Sequence, residues 1–221
     1  SVCDALKVHM RGAGIGVLRY KAVPYIYHDQ PADEDIYALF RHQAKLTRAE
    51  ASATIALPRK LPFAGGKKDG LRKASKAGLQ MRESRDWAAC WGLLEQVLSD
   101  RHDARPVHSL DEIQLLAARF PDEIRLFGAF DTDDMIAAMV IFDCGAAVHA
   151  QYIASSDRGR AHGGIDLIVK SLIEDQFADR RWFDFGISTT DQGLALNEGL
   201  ARQKEMFGAR TVVYSHYELT V

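Results

Sequence analysis

This 221-residue sequence is poor in cysteine and contains no long hydrophobic run. Cys3, Cys90 and Cys144 are few, odd in number and widely spaced, so they do not indicate a disulfide framework and are typical of a reducing cytosol. No apolar segment approaches the roughly 18 residues of a membrane span, and no signal-peptide pattern opens the chain. The histidines lack partners at metal-ligand spacing. We therefore expect a cytoplasmic protein with no membrane span and no metal site.

An excess of charge of one sign is also absent. Lys and Arg number 28 against 30 Asp and Glu, which gives a formal net charge of −2. The whole chain therefore has no general electrostatic attraction to nucleic acid or to membranes. A local exception is the predicted helix at residues 67–77, which is rich in lysine and arginine. This basic helix could contact RNA or an acidic substrate, or it could simply present a solvated face.

The hydrophobic pattern predicts the architecture. An apolar content of 47% is enough for one domain, or for one domain with an appendage. From residue 79 onward we predict a strand, two helices, three strands, a helix, a strand, a helix and a last strand. Before residue 79, we predict strands at residues 15–20, 22–28 and 51–57 and a helix at residues 31–44. The C-terminal two-thirds is therefore expected to be one α/β domain.

Glycines and arginines occur together at residues 155–164, between a predicted strand and a strongly amphipathic helix. A helix N-terminus presents unpaired N–H groups and about half a positive charge. Glycines let the backbone approach a ligand closely, so this turn is a candidate phosphate cradle. The alternative is an ordinary strand–helix turn with solvated arginines. The residues of interest are Arg158, Gly159, Arg160, Gly163 and Gly164.

The strand before this turn, at residues 147–154, carries polar side chains. Because side chains alternate along a strand, we expect His149, Gln151 and Ile153 on one face and their neighbours on the other. Two polar residues on one face of a central strand indicate an open groove. The alternative is a partly buried, hydrogen-bonded pair of His149 and Gln151.

Further polar residues follow the strand at residues 182–187. Ser188 and Thr189 lie where this strand ends, which is the place where ligands collect in α/β sheets. In the next predicted helix, Asn197 and Lys204 are seven residues apart and share one face. We therefore expect Lys204 to point back toward the same cleft. The alternative is a lysine in solvent.

The element order from residue 79 resembles the fold of the GNAT superfamily of N-acetyltransferases, a mixed, mostly antiparallel sheet flanked by helices. In that family the turn after the fourth strand holds the pyrophosphate of acetyl-CoA. Its pattern is Gln or Arg, two residues, Gly, one residue, then Gly or Ala. Here Arg160 and Gly163 match the first two elements, whereas Ile165 stands at the last. The resemblance implies an acetyl-CoA or other acyl-CoA donor, held by this turn together with Gln151 and Asn197.

Three segments, residues 71–78, 184–188 and 204–208, resemble the bacterial FemAB-like branch of this superfamily. The best-known members of that branch are aminoacyl-tRNA-dependent peptidyltransferases. Their lysine before Phe-Gly is thought to stabilise the oxyanion that develops during acyl transfer, and Lys204 matches it. The resemblance therefore implies this role for Lys204. A cation aimed at such a charge contributes several kcal/mol, on the order of an oxyanion-hole donor.

FemAB proteins have two GNAT-like lobes, which implies a division of this chain. Residues 1–66 would be a partial N-terminal lobe of strand, helix and strand. Residues 67–221 would be the acyltransferase domain, led by the basic helix. The first lobe would then lack its opening strands, so that the sheet edge near residues 15–28 is unpaired. Such an edge could pair with a missing N-terminal segment or with a second copy in a homo-oligomer.

Three functions follow from these patterns. The first is an acyltransferase that moves an acyl group from acyl-CoA to an amine, with Lys204 at the reacting carbonyl and His149 or Glu198 as general base. The second is a FemAB-type peptidyltransferase that uses aminoacyl-tRNA, with the basic helix on the RNA. The third is a non-catalytic GNAT-like binding or assembly module. The acceptor would be a small-molecule or peptide amine, and the residues expected to contact it are Ser188, Thr189 and Tyr214.

Overall fold

A computed structural model describes residues 2–102 and 106–221, without the side chains of residues 99–102. Within these residues the helices are α1 (Val2–Gly12), α2 (Glu34–Arg41), α3 (Gly65–Lys76), α4 (Trp87–His102), α5 (Leu110–Arg119), α6 (Asp157–His162), α7 (Gly164–Ser171) and α8 (Glu198–Glu205). The strands are β1 (Val17–Lys21), β2 (Lys45–Ala56), β3 (Gln80–Ser84), β4 (Ile124–Asp131), β5 (Asp134–Asp143), β6 (Ala147–Ser155), β7 (Trp182–Ile187), β8 (Thr189–Thr190), β9 (Ala195–Leu196) and β10 (Arg210–Thr220).

One large sheet organises the fold, in the order β1-β10-β2-β7-β6-β5-β4-β3. Its neighbouring strands are antiparallel except for β6 and β7, which are parallel. The strands β8 and β9 form a separate small hairpin. The predicted mixed, mostly antiparallel sheet with flanking helices is therefore confirmed, as is the order of strands and helices from residue 79, apart from α6 and the β8–β9 hairpin.

The N-terminal strands belong to this same sheet. Strand β2 lies between β10 and β7 and pairs with both in antiparallel fashion. Strand β1 forms the edge beside β10. The predicted division between residues 66 and 67 stays a prediction, although the strands of both parts share one sheet. The result is that residues 45–56 lie next to the strand that ends at Ile187.

The strand predicted at residues 22–28 was wrong. Residues Tyr25–Tyr27 form a 3₁₀ turn, and Pro24 precedes it in an extended conformation. The turn places Ile26, which is fully buried, against Val212 and Tyr214 of β10. Burying that apolar side chain outweighs the strand preference of the local sequence, and it brings Tyr27 onto the face of the sheet.

Apolar layers cover both faces of the sheet. On one face, α7 packs on β4 and β5 through a stripe that includes Ile168 and Val169, as its periodicity predicts. On the other face, α4 and α5 pack on β4, β5 and β6 through residues such as Trp91 and Ile113. Each fully buried aliphatic side chain of this kind contributes roughly 1.5–3 kcal/mol. These layers hold the strands that carry the site.

The segment predicted as a glycine-rich turn contains the helix α6. Ser156 caps it, because its Oγ accepts a hydrogen bond of 3.0 Å from the N–H of Gly159. Helix α6 ends at Gly163, which has a left-handed φ of +73°, and α7 begins with the next residue. A Cβ on Gly159 would lie 2.2 Å from the carbonyl oxygen of Ile136. Gly159 therefore permits close packing of α6 on β5.

The expected alternation along β6 was also wrong beyond Ala150. Val140 of β5 pairs with Tyr152, and the next residue of β5 pairs with Ala150, so Gln151 is the extra residue of a β-bulge. The bulge reverses the alternation. Ile153 therefore packs on the same face as Ala150, and Tyr152 packs on the opposite face with α4. The predicted common face of His149, Gln151 and Ile153 does not exist.

Replacing Gly163 by alanine tests the packing of α3 on α7. A Cβ on Gly163 would lie 2.2 Å from the carbonyl oxygen of Gly70, in a backbone conformation that disfavours alanine. We expect Gly163→Ala to lower the free energy of unfolding by about 1–3 kcal/mol, measured by urea denaturation. The control is Gly92→Ala, which has open space and should be neutral or raise it by up to about 1 kcal/mol. Wild-type stability of Gly163→Ala would contradict this close contact.

Candidate active site

Strands β6 and β7 diverge and open a cleft in the middle of the sheet. They pair only from Ala147 with Trp182 to His149 with Asp184. Beyond that point a cavity of about 370 Å³ lies between β6, β7, the α6–α7 junction, α3 and α8. Its apolar walls include Phe185, and its polar lining includes Lys204. This cavity is the candidate active site.

Lys204 on α8 is buried, with 5% of its surface exposed. Its ammonium donates hydrogen bonds of 2.9 Å to the carbonyl oxygen of Gly186 and 2.7 Å to that of Ile187. Burial lowers the pKa of Lys204 from 10.5 to about 8, although the negative charge of Asp184 acts in the opposite direction. Two of the three ammonium donors are held by β7, and the third has no acceptor among the described residues. The alternative of a lysine in solvent is excluded.

Asp184 on β7 is completely buried and is surrounded by hydrogen-bond donors. Its Oδ1 accepts from the hydroxyls of Ser52 (2.6 Å) and Thr54 (2.8 Å) on β2. Its Oδ2 accepts from the hydroxyls of Tyr214 (2.6 Å) and Tyr27 (2.8 Å), and it lies 2.8 Å from Nδ1 of His149. We call Asp184 and these five partners the Asp184 network.

The network keeps Asp184 ionised and its hydroxyl partners protonated. Burial by itself raises the pKa of the Asp184 carboxyl, but His149, Ser52 and Tyr214 together hold it well below its usual range. Burial, and then the charge of Asp184, raise the pKa of the Tyr27 and Tyr214 phenols above their ordinary value. His149 contacts Asp184 through Nδ1, which leaves Nε2 for another partner.

The α6–α7 junction brings some of the predicted cofactor residues to the cavity. Gly159, Arg160 and Gly163 line it, whereas Gly164 packs against Ala137. Arg160 forms an ion pair with Asp157.

Two further residues at the junction, Lys67 and Asp166, were missed by the sequence patterns as site residues. Lys67 of α3 donates to Asp166 in the first turn of α7 at 2.9 Å, and its ammonium lies 4.1 Å from the ring centroid of Phe207. This largely buried ion pair forms part of the cavity wall.

Other predicted site residues lie outside the cavity lining. Arg158 points to the β4–β5 hairpin, where it pairs with Asp131 and Asp134. Asn197 caps α8, because its side chain accepts from the N–H of Leu200 at 3.0 Å. Glu198 is exposed in the first turn of α8.

The remaining predicted residues are near the strands that bear the site. Gln151 occupies the bulge of β6. Ser188 and Thr189 follow β7, and the side-chain oxygens of both are buried without a hydrogen-bond partner among the described residues. Tyr214 is buried in the Asp184 network. The catalytic and binding roles of all these residues stay predictions.

Two negative findings hold for the described part of the chain. No group of three or more His, Cys, Asp or Glu side chains is placed to hold a metal ion. None of the helices there has both the length and the apolar character to cross a membrane.

Replacing Asp184 by asparagine tests the network. An amide cannot accept hydrogen bonds at both of its ends, so two or more buried donors lose their acceptor. We expect Asp184→Asn to lower the free energy of unfolding by about 3 kcal/mol, measured by urea denaturation. The control is Asp122→Asn at an exposed position, with an expected change within about 0.5 kcal/mol. Equal stability of both variants would contradict the network.

The lowered pKa of Lys204 predicts a pH dependence of stability. Between about pH 8 and pH 10.5 the unfolded chain keeps the proton on this lysine and the folded chain releases it. The free energy of unfolding should therefore rise with pH across this window in wild type, relative to Lys204→Met. Urea denaturation at pH 7, 8, 9 and 10 measures the difference. Parallel pH profiles of the two proteins would contradict a buried, destabilised ammonium.

Comparison with known proteins identifies the family. The sequence matches the family described as “Acetyltransferase (GNAT) domain” over residues 67–192, more than half of the chain. No curated protein matches it significantly. Among solved structures, FemX is similar with a TM-score of 0.75 at 10% identity, over 100% of this chain and 76% of FemX.

L-PGS from Bacillus licheniformis is similar with a TM-score of 0.69 at 12% identity, over 98% of this chain and 71% of that protein. A conserved protein of unknown function from Bacteroides thetaiotaomicron is similar with a TM-score of 0.71 at 11% identity, over 100% of this chain and 74% of that protein. At these identities the likeness shows a shared fold and nothing beyond it. Because the family match covers more than half of the chain, this chain belongs to the GNAT acetyltransferase-domain family.

Proposed function

We propose that this GNAT-family chain transfers an acyl group to an amine from an activated ester or thioester that is held in the cavity between β6 and β7. The observation that carries the proposal is Lys204, a buried ammonium held by two carbonyl groups of β7 at the cavity wall. A cation fixed in a place of low polarity stabilises a developing oxyanion without reorganising during the reaction. The non-catalytic alternative offers no reason for keeping such an unfavourable charge.

The proposed reaction is a single acyl transfer. The amine nitrogen attacks the carbonyl carbon of the donor, and the carbonyl oxygen becomes negative beside the free N–H of Lys204. The tetrahedral species then collapses, with the C–N bond retained and the C–S or C–O bond to the donor broken. The leaving thiolate or alkoxide takes a proton, and the attacking nitrogen loses one to a general base.

His149 is the proposed general base. Asp184 holds its Nδ1, so that Nε2 is directed away from the buried carboxylate. A Cβ on Gly186 would lie 3.3 Å from Cε1 of the His149 ring, and the carbonyl oxygen of Gly186 accepts from Lys204. One glycine of β7 therefore separates the proposed base from the proposed oxyanion cation. Glu198 is exposed and lines neither the cavity nor the network, which disfavours it.

The α6–α7 junction fits the pyrophosphate of CoA poorly. The N–H groups of Gly159, Arg160 and Gly163 are used in the capping and hydrogen bonds of α6. The backbone of Gly70 covers Gly163 closely, and the carboxylate of Asp166 stands in the first turn of α7. A second anion there would compete with that carboxylate for the helix N-terminus. We therefore derive no step through CoA.

An aminoacyl ester carried by RNA is the donor that we favour. Helix α3 supplies Lys67 to the cavity wall, and its outer face exposes further basic residues next to the same opening. Such a face can contact the phosphate backbone of an RNA while the ester enters the cavity. The exposed basic residues of α3 are Lys68, Arg72, Lys73 and Lys76. A cytoplasmic location, expected from the three free cysteines, would supply both kinds of donor.

Binding experiments separate the two donors. We expect aminoacyl-tRNA to bind with an affinity that falls steeply as salt rises, and Lys73→Gln with Lys76→Gln to reduce the slope of log K against log salt by about 2. The matched control replaces Lys45 and Arg85 by glutamine, because both are exposed and neither lines a cavity together with α3. Saturable binding of acetyl-CoA, with salt-independent or absent binding of tRNA, would contradict this donor and support acyl-CoA.

The activity of a Lys204 variant tests the site, with the donor that the binding experiments identify. We expect Lys204→Met to lower kcat by about 10²–10³ with little change in KM, because the oxyanion loses its cation. In wild type, kcat should fall as pH rises above about 8, since the neutral amine stabilises the oxyanion less. The control Lys170→Met lies on the exposed side of α7 and should retain full activity. Undiminished turnover by Lys204→Met would contradict the proposal.

A further inference from the structure

A second cavity, of about 300 Å³, receives His149 and does not include any residue of the first cavity. Tyr27, Phe142 and Tyr214 give it aromatic walls. Two of these rings and the imidazole belong to the Asp184 network, so their free sides face this space. This second cavity has room for an amine beside His149, and the proposed acyl donor does not occupy it.

A third cavity, of about 510 Å³, adjoins the second, because Lys21 lines both. Its lining holds more basic than acidic side chains: Arg19, Arg48 and His216 accompany Lys21, and the acidic Glu218 pairs with Arg19. This local excess of basic side chains contrasts with the formal net charge of −2 for the whole chain. The proposed acyl transfer does not use these residues.

A buried carboxylate beneath the third cavity fixes its basic groups. Glu50 on β2 is 3% exposed, pairs with Arg48, and lies 2.9 Å from Nε2 of His216. Burial raises the pKa of Glu50, but the hydrogen bonds from Arg48 and His216 give a lowered value overall. The Nε of Arg48 is buried and has no hydrogen-bond partner among the described residues. The ion pair holds the guanidinium in place, and 37% of the Arg48 side-chain surface is exposed, which leaves donors for a ligand.

Strand geometry links this basic cavity to the Asp184 network. Tyr214 pairs with Glu50, and His216 pairs with Arg48, across the β10–β2 ladder. Alternate residues of a strand point to the same face and lie about 7 Å apart. The basic groups therefore begin about two residues from the phenol that contacts Asp184.

We propose that the amine acceptor carries an oxyanion, a phosphate or a carboxylate, which binds Arg48, Lys21 and His216 in the third cavity. Its amino group then lies in the second cavity beside His149. The chemistry that recognises it is a charge-assisted hydrogen bond to the guanidinium together with the ammonium of Lys21. That the acceptor is an amine rests on the proposed function, whereas the anion site rests on the cavity itself.

Calorimetric titration of the full chain without any donor tests the proposal. The probes share one chain length: 6-aminohexyl phosphate, 6-aminohexanoate and 1-aminohexane. We expect the two anionic amines to bind at least tenfold more tightly than 1-aminohexane, and the comparison between them tells phosphate from carboxylate. Lys21→Met and Arg48→Met should each lower the affinity for the preferred anionic amine about tenfold and leave that for 1-aminohexane unchanged.

The controls separate this inference from other failures. Arg85→Met, at an exposed position outside the three cavities, should bind every probe as wild type does. Arg48→Met leaves Glu50 without its partner, so the thermal melting of this variant is measured as well. If Arg48→Met is unfolded, the test rests on Lys21→Met. Equal affinities for charged and uncharged amines, or wild-type binding by Lys21→Met, would overturn the anion site. Absence of turnover with every donor would overturn the acyltransferase and leave this binding result standing.

Discussion

The buried carboxylate of Asp184 is the constraint on which the site depends. A charge taken out of water is tolerated only where donors replace its hydration. Here the donors come from the turn after β1, from β2, from β6 and from β10, so one charge ties together segments from all parts of the chain. Two residues further along β7, the carbonyl of Gly186 anchors Lys204. The hydrogen bonds that fix Asp184 on β7 therefore also fix the carbonyl group that holds the ammonium of Lys204.

The sequence predicts the parts of this fold that rest on local periodicity. The apolar stripe of α7 and the strands β4, β5 and β7 are examples, since their apolar side chains are buried as the pattern predicts. It does not predict the Asp184 network, because Tyr27, Ser52 and His149 are far apart in the chain. A signal was present in β2, where Glu50, Ser52 and Thr54 alternate with small apolar residues. An acidic residue inside the apolar run Trp182–Ile187 was another.

The residues that carry the proposed chemistry extend beyond the part of the chain that is recognisable as a GNAT domain. That match ends at residue 192, whereas Lys204 and Tyr214 follow it and Tyr27 precedes it. The bulge at Gln151 explains why the predicted common face of His149, Gln151 and Ile153 was wrong, because one inserted residue reverses which side chains share a face. Helix α6 was missed because glycines and arginines favour a turn, while the cap at Ser156 and close packing on β5 favour a helix.

The position of β2 also has a consequence for how the protein folds. Residues 45–56 find their partners only in β7 and β10, which lie more than 120 residues later in the chain. Contacts of such high sequence separation slow folding, because a long loop must close before they form. During synthesis residues 45–56 therefore remain without their hydrogen-bonded neighbours until β7 and β10 have left the ribosome. The candidate active site needs Ser52, Thr54 and Tyr214 together, so it depends on these pairings of high sequence separation.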